Sequence, residues 1–135
     1  MAKRDLEKLQ RIVQVADLLY RQRIAEVAEA RGRCVELAAA ASRVAQFIEA
    51  PLGEDARMQE FAVRRAARLR QDLGGANRDL EKSLEEAGTA LVSAKGAERL
   101  LGARQSQARR EAAERALNEI LEGALRPLGR PSQMR

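Results

Sequence analysis

Cys34 is the chain's one thiol, and no histidine occurs anywhere in its 135 residues. Serine and cysteine nucleophiles ordinarily depend on a neighbouring imidazole to take their proton, so Ser-His-Asp and Cys-His arrangements are excluded. The same two counts exclude an intramolecular disulfide and every His/Cys zinc pattern. Carboxylates are plentiful, 20 Asp and Glu against 25 Lys and Arg. They are interleaved with arginines at helical spacing, whereas paired-carboxylate catalysis needs a concave, partly desolvated site. Gly74-Gly75 lacks the Lys-Ser/Thr that completes a phosphate loop. These residues give no catalytic site, no cofactor site, no metal site and no small-molecule substrate, and the chain reads as a non-enzyme.

The residues that remain informative are those that build long helices. The sequence is 45% hydrophobic but only 2% aromatic, and Tyr20, Phe47 and Phe61 are the whole aromatic set. A globular core draws on large side chains. Alanine with abundant Leu, Glu, Lys and Arg points instead to long helices or coiled coil, with a core that is a seam. The expected fold is therefore all-α, a two-helix antiparallel coiled-coil hairpin with a longer C-terminal helix.

The first helix is expected over residues 3–49. Leu6, Leu9, Val13, Ala16, Tyr20, Arg23, Val27, Ala30, Cys34, Leu37, Ala41, Val44 and Ile48 succeed one another in alternating steps of three and four. Sustained spacing of this kind is the signature of a left-handed coiled coil. Glu7–Arg11 and Glu29–Arg33 have the i, i+4 spacing of outer-face ion pairs. Cys34 falls in the seam, where a small buried hydrophobe is favoured over a redox role. Arg23 is the one charged seam residue, either a register device or a chain that snorkels out along its stem.

Pro51 biases Ala50 away from helical angles, Gly53 permits a tight reversal and Asp55 can cap a second helix, so residues 50–55 read as a turn. Such a short connection implies antiparallel neighbours. The second helix is expected over 56–121, with its apolar positions at Met58, Ala62, Ala66, Leu69, Leu73, Ala76, Leu80, Leu84, Ala87, Leu91, Ala94 and Leu101. Gly74-Gly75 with Asn77 close behind produces either a local kink or a break at 74–76. Gly123 and Pro127 are expected to stop the helix, which leaves residues 126–135 as a flexible basic tail and 1–125 as the folded part. With the turn centred near residue 51 or 52, Leu6 meets the region of Ala97, and everything beyond about Leu101 overhangs its partner.

That overhang carries Arg104, Arg109, Arg110 and Arg115 among Glu111, Glu114 and Glu119, with Glu111–Arg115 and Arg110–Glu114 at supporting spacing. A short apolar patch, Leu117, Ile120, Leu121 and Leu125, lies towards its end. A second basic run, Arg64, Arg65, Arg68 and Arg70, spreads around the helix and reads as a solvated face. Net charge +5 and a pI near 10 raise nucleic-acid binding. The acids are mixed in, however, no aromatic platform exists for single strands, and no helix-turn-helix or basic fork appears. Nucleic acid is disfavoured. The start of the chain has no apolar signal core, and no stretch approaches the ~18 apolar residues of a membrane span, which suggests a cytoplasmic chain.

Two segments carry a family resemblance. LEKLQRIVQVADLLYRQRIAEVAEA resembles the N-terminal helix of FliJ-type proteins, with its Leu-x-x-Leu start and Ala/Glu-rich heptads. AKGAERLLGARQSQARREAAERALNEIL resembles their C-terminal helix, where a Leu-Leu cluster leads into Arg- and Glu-dense sequence. The resemblance implies the stalk of the flagellar type III export ATPase, a coiled coil similar to the shaft of rotary ATPases. Its implied partners are the export ATPase hexamer, the export gate and export chaperones, and the related stalks of virulence secretion are a close alternative. By this resemblance Leu100, Leu101, Arg104, Gln105, Arg109 and Arg110 form the portion that faces the ring. Two other roles fit the residues: a coiled-coil secretion chaperone or adaptor that wraps a protein partner, and, less well, a basic nucleic-acid-associated coiled coil.

Overall fold

The computed structural model describes residues 2–49 and 56–129, and there the fold is all-α, two long helices packed against each other. Helix α1 spans Ala2–Glu49 and helix α2 spans Ala56–Gly129. Both are built from the residues with the highest helix propensity, Ala, Leu, Glu, Arg and Lys. Asp5 in the first turn of α1 and Arg126 in the last turn of α2 complement the helix dipoles. Pro51, Gly53, Asp55 and the tail from Arg130 onward lie outside the described residues.

One expectation for α2 is narrowed and another needs correction. The helix is continuous through residues 74–76, with neither a break nor a second start. The Arg78 guanidinium lies 3.9 Å from where a Cβ on Gly74 or Gly75 would stand, so its side chain lies over the glycine pair. The helix also continues past Leu121 to Gly129. A lone Gly123 costs only about 1 kcal/mol against alanine, and Pro127 is followed by only two more helical residues.

The chain forms two compact units, residues 16–94 and residues 1–15 with 95–135. In the first, α1 and α2 run in opposite directions. Arg23 reaches Glu86, while Val44 and Phe47 near the end of α1 share a groove with Met58 and Ala62 near the start of α2. From Ala16 to Ile48, every α1 position of the three-four alternation is buried or half-buried, and Val27, Ala30 and Cys34 are the most enclosed.

On α2 the buried line of this unit is Ala62, Ala66, Leu69, Leu73, Ala76, Leu80, Ser83, Ala87, Ala90 and Ala94. It departs from the expected line at three places. Leu84 and Leu91 are exposed flanking residues, with Ser83 and Ala90 in the seam, and Met58 is exposed. Size explains the substitution at 84 and 91. Ala87, Ala90 and Ala94 are 5–6% exposed, small residues that let helices pack closely, and the leucines stand beside the contact.

In the second unit Leu6, Leu9 and Val13 of α1 and Ala97, Leu101, Gln105, Ser106 and Ala108 of α2 are half-buried. Every fully buried hydrophobic residue described belongs to the first unit.

Candidate partner-binding surface

Arg23 decides what the one charged seam position does. Its Nη1 donates to Glu26 Oε2 and to Glu86 Oε2, both at 3.0 Å, so it ties one turn of α1 to the facing turn of α2. The side chain stays about one-third exposed, along with both carboxylates. It therefore neither sits fully buried nor escapes along its stem. A polar groove of about 280 Å³ flanks this bridge, lined by Glu26, Glu29, Arg33, Asp79, Lys82 and Glu86. Among the described residues no cluster of Cys, Asp and Glu is arranged to hold a metal ion.

The expected outer-face pairs form differently. Arg21–Asp17 at 3.0 Å and Arg64–Glu60 at 2.8 Å close at i, i+4, whereas Glu7–Arg11 and Glu29–Arg33 do not. In the C-terminal part of α2, Gln107 Nε2 donates to Glu111 Oε1 at 3.3 Å. Arg115 Nε turns to the backbone carbonyl of Glu111 at 3.5 Å, and Arg109 Nε to that of Gln105 at 3.5 Å. The anticipated Glu111–Arg115 and Arg110–Glu114 ion pairs are not made. Exposed pairs are worth only ~0–1 kcal/mol, so small local differences decide which of them close.

The six residues expected to face a partner divide into two sets. Leu100, Arg104, Arg109 and Arg110 are exposed. Leu101 and Gln105 are half-buried on the side that meets α1. Leu6 lies in clefts with Gln105, Arg109 and Ala112 and with Arg104, Gln107 and Glu111, with Ala108 on both. It was expected beside Ala97. Because α1 ends at Glu49 and α2 begins at Ala56, the midpoint between the helix ends falls later than residue 51, which accounts for part of this shift. The fully exposed stretch begins at Arg109, not near Leu101, and the part beyond these clefts begins at Ala113.

From Arg109 to Arg126 every residue is exposed. This stretch holds four arginines and four glutamates, so its charge is balanced. It also holds Ala113, Leu117, Ile120 and Ala124 in four-three-four steps, with Leu121 and Leu125 alongside. Those positions repeat the spacing of the buried line on α2, and they lie bare: Ile120 is 68% exposed and Leu117 55%. A helix of this length is marginal alone, but here it extends one already nucleated and needs only propagation.

Comparison with family models, curated proteins and solved structures finds no match to this chain. The surface must therefore be judged from its own residues. No described helix is long and apolar enough to cross a membrane.

A second uncovered apolar region lies in the unit of residues 16–94. Ala40, Val44, Phe47, Met58, Phe61, Ala62 and Leu69 line a groove of about 400 Å³ with Arg43 and Arg65. The sequence carried one sign of it. Two of the chain's three aromatic residues are placed here, and Phe61 falls off the three-four line next to Ala62.

Proposed function

We propose that this chain is a non-catalytic coiled-coil stalk or adaptor of a bacterial type III protein export apparatus of the flagellar kind. In this reading the two helices form an antiparallel coiled-coil hairpin, and residues 109–126 bind the export ATPase ring in the cytoplasm. Contacts with the export gate and with export chaperones rest on the same resemblance to FliJ-type proteins. The observation that carries the proposal is the exposed helix Arg109–Arg126, a seam-spaced apolar line among balanced charges that, beyond Ala112, shares no described cleft with α1. The three-four spacing of covered residues supports the coiled coil.

The physical demands of a stalk suit these residues. Stiffness comes from a continuous seam. Contacts with a ring of different symmetry must be remade as it turns, and exposed ion pairs worth only ~0–1 kcal/mol each permit that. Binding to a flagellar export ATPase, full-length chain against a chain ending at Ala108, tests the proposal. The truncation is expected to bind at least about tenfold more weakly, as is full-length chain carrying Leu117→Asp and Leu121→Asp. Equal binding by all three would remove the stretch from the mechanism. A stable dimer in solution without ATPase binding would favour the secretion-chaperone reading.

A further inference from the structure

The apolar groove of residues 16–94 serves no part of the stalk proposal, and its charge is distinctive. Arg43 of α1 and Arg65 of α2 are the charged residues of its lining. Across residues 40–70 there are six arginines against four acids, Glu49, Glu54, Asp55 and Glu60. Glu60 is already held by Arg64 at 2.8 Å. The floor and walls are apolar, and Phe61 is 67% exposed and Met58 50%. At about 400 Å³ the groove has the volume of a ligand cleft and room for two or three aliphatic side chains. Met58 at its edge, with a flexible and polarisable side chain, can adjust to side chains of different shape.

We infer that this groove receives an amphipathic helix of a partner protein whose apolar face is flanked by Asp and Glu. Helix-in-groove recognition places anchors at i, i+3 or i+4 and i+7 into such a cleft. Acids on either side of those anchors meet Arg43 and Arg65, one contributed by each helix. Charge complementarity of this sort selects the partner and speeds its encounter. A concave cleft takes up side chains; a bilayer needs a protruding apolar face.

Two fluorescently labelled helical peptides of about 15 residues test this, both with leucines at i, i+3 and i+7. One carries glutamates at the flanking positions and the other lysines. The glutamate peptide is expected to bind the full-length chain at least about tenfold more tightly than the lysine peptide. Phe61→Asp is expected to abolish that binding. Arg43→Glu with Arg65→Glu is expected to reverse the preference, so that the lysine peptide becomes the tighter ligand. These side chains lie at the surface, and unchanged helical circular dichroism will show that the variants fold. Equal affinity for the two peptides, or binding that survives Phe61→Asp, would overturn the inference. So would a dimer of the chain that Arg43→Glu dissociates, or association with anionic vesicles that the glutamate peptide does not displace.

Discussion

Residues 62–94 and 109–126 of α2 are written with the same ingredients, alanine, leucine, arginine and glutamate, and they meet opposite fates. In the first stretch the small residues at three-four spacing are covered by α1, with Leu69 only 3% exposed. In the second, Ala113, Leu117, Ile120 and Ala124 keep the spacing and nothing described covers them. Pattern therefore decides which face of a helix can be buried. Whether it is buried depends on a partner, and for residues 113–126 the chain supplies none among its described residues. A seam-spaced line left bare is what a helix would have if its partner were another protein.

The sharpest way to break this comparison is to truncate one leucine in each stretch. Leu69→Ala removes a nearly fully enclosed side chain from a seam made mostly of alanines, and should cost about 2–4 kcal/mol. Leu121→Ala, at a residue 50% exposed, should cost no more than ~0.5 kcal/mol. Urea denaturation monitored by circular dichroism measures both. Comparable losses would mean that residues 109–126 pack against something within the chain or in a second copy.

Much of this was legible in the residues, and the failures have physical causes. The α1 line from Leu6 to Ile48 emerges as expected because its strict alternation leaves one face to bury. On α2, preference for large apolar residues selected Leu84 and Leu91, although the same alternation also runs through Ser83 and Ala90. Close packing of helices rewards small side chains, which hydrophobicity undervalues. The exposed stretch was legible in kind but misplaced at its start, because register depends on where the helices end and on how they approach. Leu101 and Gln105, two of the six residues expected to face a partner, are half-buried. The groove at Phe47, Met58 and Phe61 was hidden for a similar reason: it forms only when two helix faces converge.

A smaller effect, of opposite sign, comes from the glycines. Gly88 lies beside the seam residue Ala87, and a Cβ there would meet nothing within 4 Å. Gly88→Ala should stabilise the chain by about 0.5–1 kcal/mol, through helix propensity alone. Gly75→Ala should do the same, since its new methyl would reach only the Arg78 side chain at ordinary contact distance. A rise in the denaturation midpoint for both variants would fit a helix that is unbroken through residues 74–76. A loss at Gly75 alone would show that the glycine pair is needed as a bend.

The smallest expected effect tests what the charged seam position contributes. Arg23 meets Glu86 across the two helices and Glu26 along its own, and all three side chains remain about one-third exposed. Solvent screens such pairs, and most of the attraction offsets the entropy lost by holding long side chains. In a double-mutant cycle, Arg23→Ala and Glu86→Ala should show a coupling of roughly 0.5 kcal/mol that shrinks as salt is added. A coupling several times larger and indifferent to salt would mean a desolvated bridge that fixes helix register. A coupling near zero would leave the alanine seam to set register, with Arg23 kept in it only because its long stem can carry the charge to the edge.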